Sequence, residues 1–318
     1  MRITKFLAAV LLVLPAPALA SDAPSELLAA GRVDDAIVTL SSRISSAPND
    51  AASHNLLCRA YFAVSNWDRA VSECEKAVSL EPNNGEYHLW LGRTYGEKAD
   101  ASNFFTAAGL AKKVRTEFER AVALDPNSAV ARTDLAEFYL EAPGIVGGGQ
   151  DKARAQADAL LKLSPAKAHW VTGRIAEKNK DTTGAEKEYR AAIEASHGGA
   201  NAWLNLASFY RKAGRLDAMQ DALKQAAAAP MDQPEVLVDA ASNLLRANRD
   251  LPFATQLLHR YLSSTTVEQA PPFKAHYLLG NILEKQGDKT GAAKEYQTAL
   301  ALAKDFGRAR EALNRVNR

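Results

Sequence analysis

The sequence predicts an all-α protein in which pairs of short antiparallel helices stack into a solenoid. A unit of about 34 residues recurs along the chain, and its clearest copy covers residues 51–84. In that copy, small residues stand where two helices must approach closely and larger apolar residues fill the remaining space: Leu57, Cys58, Tyr61, Ala70 and Ala77. Pro82 follows, and proline cannot continue a helix. These features predict two short helices in each unit and a stop between units.

This spacing resembles the tetratricopeptide repeat, whose two helices, A and B, cannot bury their apolar faces alone and therefore stack against neighbouring repeats. The resemblance implies a right-handed solenoid with helices A lining its concave face. We predict a partial repeat over residues 21–50, followed by about seven full repeats and a capping helix over residues 51–318.

Residues 1–20 have the order of a secretory signal peptide. Arg2 and Lys5 precede an apolar run over residues 6–14, and small residues follow at Ala18 and Ala20. The run is too short to cross a bilayer. We therefore predict cleavage after Ala20 and a periplasmic or secreted protein without an integral membrane span.

The mature chain is predicted to be electrically neutral. Loss of Arg2 and Lys5 reduces the 39 basic residues to 37, which equals the number of acidic residues. A nucleic-acid-binding protein normally has a strong basic excess or stripe. The composition therefore predicts no nucleic-acid partner.

Two adjacent repeats carry insertions at the turn between their helices. The second repeat, residues 85–128, is about ten residues longer than the unit, and its surplus over residues 96–109 is predicted to extend helix B at its start. The third repeat, residues 129–166, has the glycine-rich turn 143–150. This turn lacks the Gly-Lys-Ser/Thr ending of a phosphate-binding loop, so nucleotide binding is not expected.

Stacking should place the two insertions side by side on one edge of the solenoid. The apolar residues concerned are Phe104, Phe105, Ile145 and Val146. One interpretation is a small cluster in which these side chains pack against one another. The other is an exposed apolar ledge that binds a ligand, since exposed apolar patches often mark interaction sites.

The pattern continues through the C-terminal half, most weakly in the sixth repeat: Gly173, Tyr189, Leu206, Tyr210, Leu258, Gly280 and Tyr296. Residues 263–272 predict a surface linker, because prolines and paired threonines interrupt the helical pattern. Residues 308–317 predict the helix that caps the last repeat.

Cys58 and Cys74 are the only cysteines and occupy facing positions of helices A and B in one repeat. An even cysteine count in an exported protein favours a disulfide. The alternative is a pair of buried thiols.

No local motif for catalysis, metal or cofactor binding is present in the sequence. His54 and His88 occupy equivalent positions in successive repeats, where an aromatic residue normally packs, so we interpret them as structural. A metal site would need three or four converging ligands. We predict a protein that is not an enzyme and has no cofactor or metal.

The concave face is the surface that repeat proteins commonly use for binding. The register places Arg59, Arg93, Glu137 and Arg174 along it in successive repeats, and one turn earlier it places Asn55, Leu89 and Trp170. We select Arg59, Arg93, Trp170 and Arg174 as candidate binding residues, because arginine and tryptophan suit an acidic or C-terminal peptide. The alternative is a solvated face whose arginines pair with Glu97, Glu137 and Glu177.

The predicted function is a non-catalytic scaffold or adaptor of the cell envelope that binds a partner protein or peptide in its concave groove. An alternative is a binding module associated with the cell wall or with carbohydrate.

Overall fold

The computed structural model describes residues 23–230 and 233–318. Those ranges contain 17 α-helices, one 3₁₀ turn and no β-strand. The signal-peptide prediction for residues 1–20 lies outside them. The helices are α1 (Pro24–Ala29), α2 (Val33–Ser46), α3 (Ala51–Ala63), α4 (Trp67–Leu80), α5 (Gly85–Asp100), α6 (Phe104–Leu124), α7 (Ala129–Glu141), α8 (Gln150–Leu163), α9 (Pro165–Lys178), α10 (Thr182–Ala195), α11 (Ala200–Lys212), α12 (Leu216–Ala228), α13 (Glu235–Ala247), α14 (Leu251–Leu262), α15 (Pro272–Lys285), α16 (Lys289–Leu302) and α17 (Gly307–Val316).

The helices pack in consecutive pairs, and each pair packs on the next. The short helix α1 pairs with α2, seven longer pairs follow from α3–α4 to α15–α16, and α17 packs against α16. The predicted all-α solenoid is therefore confirmed. The solenoid forms because each helix buries its apolar side mainly against the helices next to it in sequence.

Glycine on helix A makes room for an aromatic ring on helix B. A Cβ atom added at Gly92 would lie 2.5 Å from the ring of Phe118, and one added at Gly280 would lie 2.3 Å from Tyr296. Real Cβ atoms essentially never approach other atoms so closely. The two helices can pack at this distance only because the position carries no side chain.

The surplus residues 96–109 are divided between the two helices of the second repeat: residues 96–100 belong to α5, contrary to the prediction, and only residues 104–109 extend α6 at its start. This helix has 21 residues, whereas α4, α8 and α10 have 14 each. The Asn103 side chain caps it by accepting a hydrogen bond of 3.1 Å from the backbone N–H of Thr106. In the third repeat, a 3₁₀ turn (Gly144–Val146) lies between α7 and α8.

The two ends of the solenoid are in contact. Buried side chains of α1 and α15, among them Leu27, Leu28 and Phe273, belong to the same apolar core. The backbone N–H of Lys304 donates to the Asp34 carboxylate over 3.0 Å. The concave face therefore lies inside a superhelix whose first and last repeats meet.

Candidate functional site: the concave face and the apolar edge

Arg59 joins two distant parts of the chain. Its Nε and Nη2 atoms donate to the two carboxylate oxygens of Glu268 over 2.8 and 2.5 Å. The Arg59 side chain is 18% exposed and that of Glu268 is 13% exposed. Glu268 belongs to the predicted linker 263–272, which therefore reaches across the concave face to α3. Glu86 takes a further hydrogen bond from Arg59, of 3.3 Å.

Arg93 is held by two neighbours on the concave face. Its Nε donates to Asp134 on α7 over 2.6 Å, and its guanidinium carbon lies 5.1 Å from the centre of the Trp90 ring. The Arg59 guanidinium contacts the same ring, at 4.8 Å. Trp90 thus fixes both arginines by cation–π contact. Trp90 was not among the residues selected from the sequence, although it lies three residues before Arg93 on the same helix, a spacing that brings side chains together.

Arg174 lies over the ring of Trp170, 5.4 Å from its centre. Its Nη1 donates to Glu137 over 2.8 Å and its Nη2 donates to Glu141 over 2.7 Å. All three candidate arginines are therefore paired with carboxylates of their own chain. Of the partners expected in the alternative interpretation, Glu137 is used, and Asp134, Glu141 and Glu268 are partners that the sequence did not indicate.

Two of the other positions expected in the groove are inside the protein. Asn55 is 3% exposed and Leu89 is 8% exposed. Trp170 is partly exposed and lines a cavity together with Arg93. The structure thus brings Arg93 and Trp170 to one opening, while Arg59 is covered by the linker.

This opening, which we call the central cavity, has a volume of about 520 Å³. Residues of α5, α7, α9 and α11 line it. Its lining includes Lys167, Asn201 and Asn205. Within the part of the chain that the structure describes, the side chains of these three residues make no hydrogen bond or ion pair with the protein. Burial lowers the pKa of Lys167, and the neighbouring Asp134 opposes this shift. The cavity therefore offers polar donors that no intramolecular partner uses.

The insertions form a second opening, which we call the edge groove. It has a volume of about 430 Å³ and lies among α5, α6, α7 and the 3₁₀ turn. Phe104, Ile145 and Val146 line it. Phe105 does not, although its ring lies 5.7 Å from that of Phe104.

The packed cluster that the sequence allowed at this edge is wrong. Phe104, Phe105 and Ile145 are 80%, 86% and 88% exposed, and only Val146 is buried. The alternative expectation, an exposed apolar ledge, agrees with these values. The reason is geometric, since the extended start of α6 carries both phenylalanines beyond the neighbouring helices.

The glycine-rich turn has an internal structural role. A Cβ atom at Gly147, whose φ is 102°, would collide with the Arg115 guanidinium, and one at Gly148 would lie 1.7 Å from the Ala142 carbonyl oxygen. The N–H groups of Gly147 and Gly148 donate to carbonyl oxygens within the turn, over 2.9 and 3.2 Å, and that of Gly149 donates to the carbonyl oxygen of Tyr139 on α7 over 2.8 Å. Because these donors are already used, the turn has no cradle of free N–H groups for a phosphate.

A disulfide joins Cys58 and Cys74, whose α-carbons are 5.3 Å apart. Both residues are fully buried. The bond links α3 to α4 inside the first full repeat, which supplies part of the concave face.

His54 and His88 hold helix A to helix B within their own repeats. The Nδ1 atom of each lies 2.6 Å from a carboxylate oxygen, of Glu73 and Glu117 respectively. The described residues contain no group of three or more His, Cys, Asp or Glu side chains that could hold a metal ion. Within the same residues, no helix is both long and apolar enough to span a membrane.

Comparisons with known proteins identify tetratricopeptide repeats in part of the chain. Models of the tetratricopeptide repeat match residues 148–200, 200–229 and 273–306. No curated protein gives a significant sequence match. The structure is similar to yeast Tom70 with a TM-score of 0.55, at 15% identity over 90% of this chain and 58% of that chain, a likeness that shows the fold alone.

A second similar structure is TTC0263, a thermophilic tetratricopeptide repeat protein of Thermus thermophilus. It matches with a TM-score of 0.48 and 18% identity, over 58% of this chain and 96% of that chain. The matched residues include the helices from α8 to α12 and the pair α15–α16. This chain contains tetratricopeptide repeats, matched over residues 148–229 and 273–306.

Proposed function

We propose that this protein is a non-catalytic scaffold of the cell envelope, and that its central cavity binds an acidic or C-terminal peptide of a partner protein. The observation that carries the proposal is the set of unused donors in the central cavity. Lys167, Asn201 and Asn205 converge there beside Trp170 without an intramolecular partner. Lys167 and Asn205 are half-buried and Asn201 is exposed, and none of the three has a hydrogen-bonded partner among the described residues, so all three are available to an external ligand.

The chemistry of the lining supports a carboxylate ligand. The Lys167 ammonium is a donor for charge-assisted hydrogen bonds, and the asparagine amides can bond both edges of an extended backbone. Trp170 supplies apolar surface at the cavity wall. Arg174 holds the Trp170 ring in place by cation–π contact.

The proposed mechanism is preorganisation. Helices α7, α9 and α11, which carry the lining, are stacked parts of the solenoid, so the binding groups are ordered before the ligand arrives. A rigid site avoids the entropy cost of ordering its side chains during binding. Arg59 and Arg93 contribute to the shape of the concave face and are already neutralised by Glu268 and Asp134.

The location in the cell envelope is part of the proposal. It is supported by the signal-peptide pattern of residues 1–20 and by the buried disulfide, since disulfides persist mainly in oxidising compartments. The compartment would be the periplasm or the outside of the cell.

The test is an array of ten-residue peptides, each synthesised with a free terminal carboxylate and again as the amide. We expect the protein to bind a subset of carboxylate peptides and to lose binding to their amides. Lys167→Met should weaken binding about 10- to 100-fold, because a hydrogen bond to a charged group contributes about 1.5–3 kcal/mol.

Lys162→Met is the matched control, since Lys162 is exposed on α8 away from the central cavity. Equal affinity for carboxylate and amide peptides would refute the carboxylate site. Binding to glycan probes with no peptide binding would instead support the carbohydrate-associated alternative.

A further inference from the structure

The edge groove is a second opening, separate from the central cavity. We propose that it binds an amphipathic helix of a partner protein, whose apolar ridge enters the groove while a lysine or arginine side chain approaches Asp100. The inference is independent of the peptide proposed for the concave face, because the two openings have no lining residue in common.

The shape of the edge groove suits a helix. Its lining includes the short side chains of Ala99, Ala107, Ala108 and Ala111, and two large residues, Phe104 and Ile145, stand in it with most of their surface in water. An alanine side chain ends at its β-carbon, so a partner helix can approach the backbone closely along this floor. Helix-in-groove recognition uses this combination of an apolar trough and apolar anchors at positions i, i+3, i+4 and i+7.

The exposed apolar residues are concentrated at this edge. Phe104, Phe105 and Ile145 are each at least 80% exposed, whereas the next most exposed large apolar side chain, Val38 on α2, is 67% exposed and far along the chain. Single exposed apolar residues are ordinary, but a contiguous group beside a groove marks an interaction site.

The charged residues of the edge groove favour a partner helix with basic side chains. Asp100 and Glu141 are the only charged residues in the lining. Glu141 is bonded to Arg174 and Lys178, while Asp100 has no ion pair within the described residues. The unused negative charge favours a basic flank on the partner helix and disfavours an anionic membrane surface.

The edge groove also opens into the concave face. A neighbouring cavity of about 700 Å³ shares Asp100, Val114, Phe138 and Glu141 with it. The additional charged residues of that cavity are Glu97, Asp134, Glu137 and Arg93, of which Asp134 is bonded to Arg93 and Glu137 to Arg174. A helix that lies in the edge groove can therefore extend toward the concave face.

The test selects ligands without assuming their sequence. A phage-displayed library of 16-residue helical peptides is panned on the purified protein, with the double variant Phe104→Ser/Ile145→Ser as the counter-selection target. We expect enriched peptides to carry apolar residues at helical spacing and an excess of lysine and arginine.

The best peptide is then synthesised with a fluorescent label and titrated. It should bind the double variant at least 10-fold more weakly than the unaltered protein, and Asp100→Asn about 3-fold more weakly. Val38→Ser, which removes an exposed apolar side chain elsewhere, should bind as the unaltered protein does. Circular dichroism of all variants confirms their helical content.

Three results would overturn the proposal. In the first, the library enriches no peptide on the unaltered protein relative to the double variant. In the second, the enriched peptides have no excess of lysine and arginine. Alternatively, phosphatidylcholine vesicles could retain the protein in flotation and lose it on Phe104→Ser/Ile145→Ser, which would identify the edge as a membrane-contacting surface.

Discussion

The hydrogen bonds of His88 predict a pH-dependent contact inside the second repeat. Its Nδ1 lies 2.6 Å from a carboxylate oxygen of Glu117, and its Nε2 lies 3.0 Å from the carbonyl oxygen of Pro82. A carboxylate and a carbonyl can only accept, so both ring nitrogens must donate. A histidine with two N–H donors is the imidazolium cation. The hydrogen bond to Glu117 accordingly raises the pKa of His88, whereas burial and the nearby Arg120 oppose the rise.

The sign of the stability effect follows from this shift. Because the folded-state pKa lies above the unfolded value of about 6.5, the stabilisation is fully present below that pH. It is lost as the pH rises through the folded pKa. The side chains of His88 and Glu117 are 9% and 17% exposed, so solvent screens the pair little. A hydrogen bond to a charged group is worth about 1.5–3 kcal/mol, which sets the expected size.

The perturbation is Glu117→Gln, which keeps an acceptor oxygen and removes the charge. The assay follows the His88 ring by NMR during a pH titration and measures urea unfolding at pH 6.0 and 8.5. We expect the variant to lower the pKa of His88 and to lose about 2 kcal/mol at pH 6.0 but much less at pH 8.5. Glu188→Gln, in the fourth repeat, is the control and should leave the His88 titration unchanged. An equal loss of stability at both pH values would refute the assignment of an imidazolium.

Three further predictions concern the closure, the disulfide and the leader. Glu268→Gln should separate the ends of the solenoid, because it removes the charge opposite Arg59. Spin labels on α2 and α16 would detect the separation as a longer distance between the labels. An unchanged distance would show that apolar contacts alone hold the ends together. Replacing both Cys58 and Cys74 by serine should destabilise the protein by about 3 kcal/mol in urea unfolding, the value for a loop of about 15 residues, and added reductant should have no further effect on that variant. Expression of the full chain in a bacterial host should give a mature product cleaved after Ala20 by mass spectrometry, and an intact N-terminus in that product would contradict export by this route.

Local spacing was sufficient to predict the helix pairs. Gly173 and Gly280 each stand opposite a tyrosine 16 residues later in the sequence, and Gly92 stands opposite Phe118, at a longer separation because its repeat carries the insertion. The disulfide was foreseeable for the same reason, since Cys58 and Cys74 face each other within one repeat. Each of these contacts forms within a unit of about 34 residues and needs no knowledge of the whole superhelix.

The partners of the concave arginines depend on long-range geometry. Glu268 is 209 residues from Arg59 in sequence, and the two meet only because small rotations between successive repeats accumulate until the ends of the solenoid touch. No local sequence pattern indicates this accumulated rotation. The exposure of Phe104 and Ile145 could not be predicted from the sequence either, because it depends on how far the extended start of α6 projects past the neighbouring helices.

The ion pairs of the concave face limit where binding free energy can arise. A ligand carboxylate that approaches Arg93 or Arg174 must displace Asp134, Glu137 or Glu141, and one charge-assisted hydrogen bond is then exchanged for another of similar strength. Such an exchange contributes little net affinity, and it leaves the displaced carboxylate without its partner. Lys167 has no hydrogen-bonded partner among the described residues, so a ligand group can bond it without displacing a carboxylate. The peptide site is therefore expected to depend more on Lys167 than on the arginines that the sequence pattern favoured, and charge reversal at the arginines would disturb the solenoid before it tested the ligand.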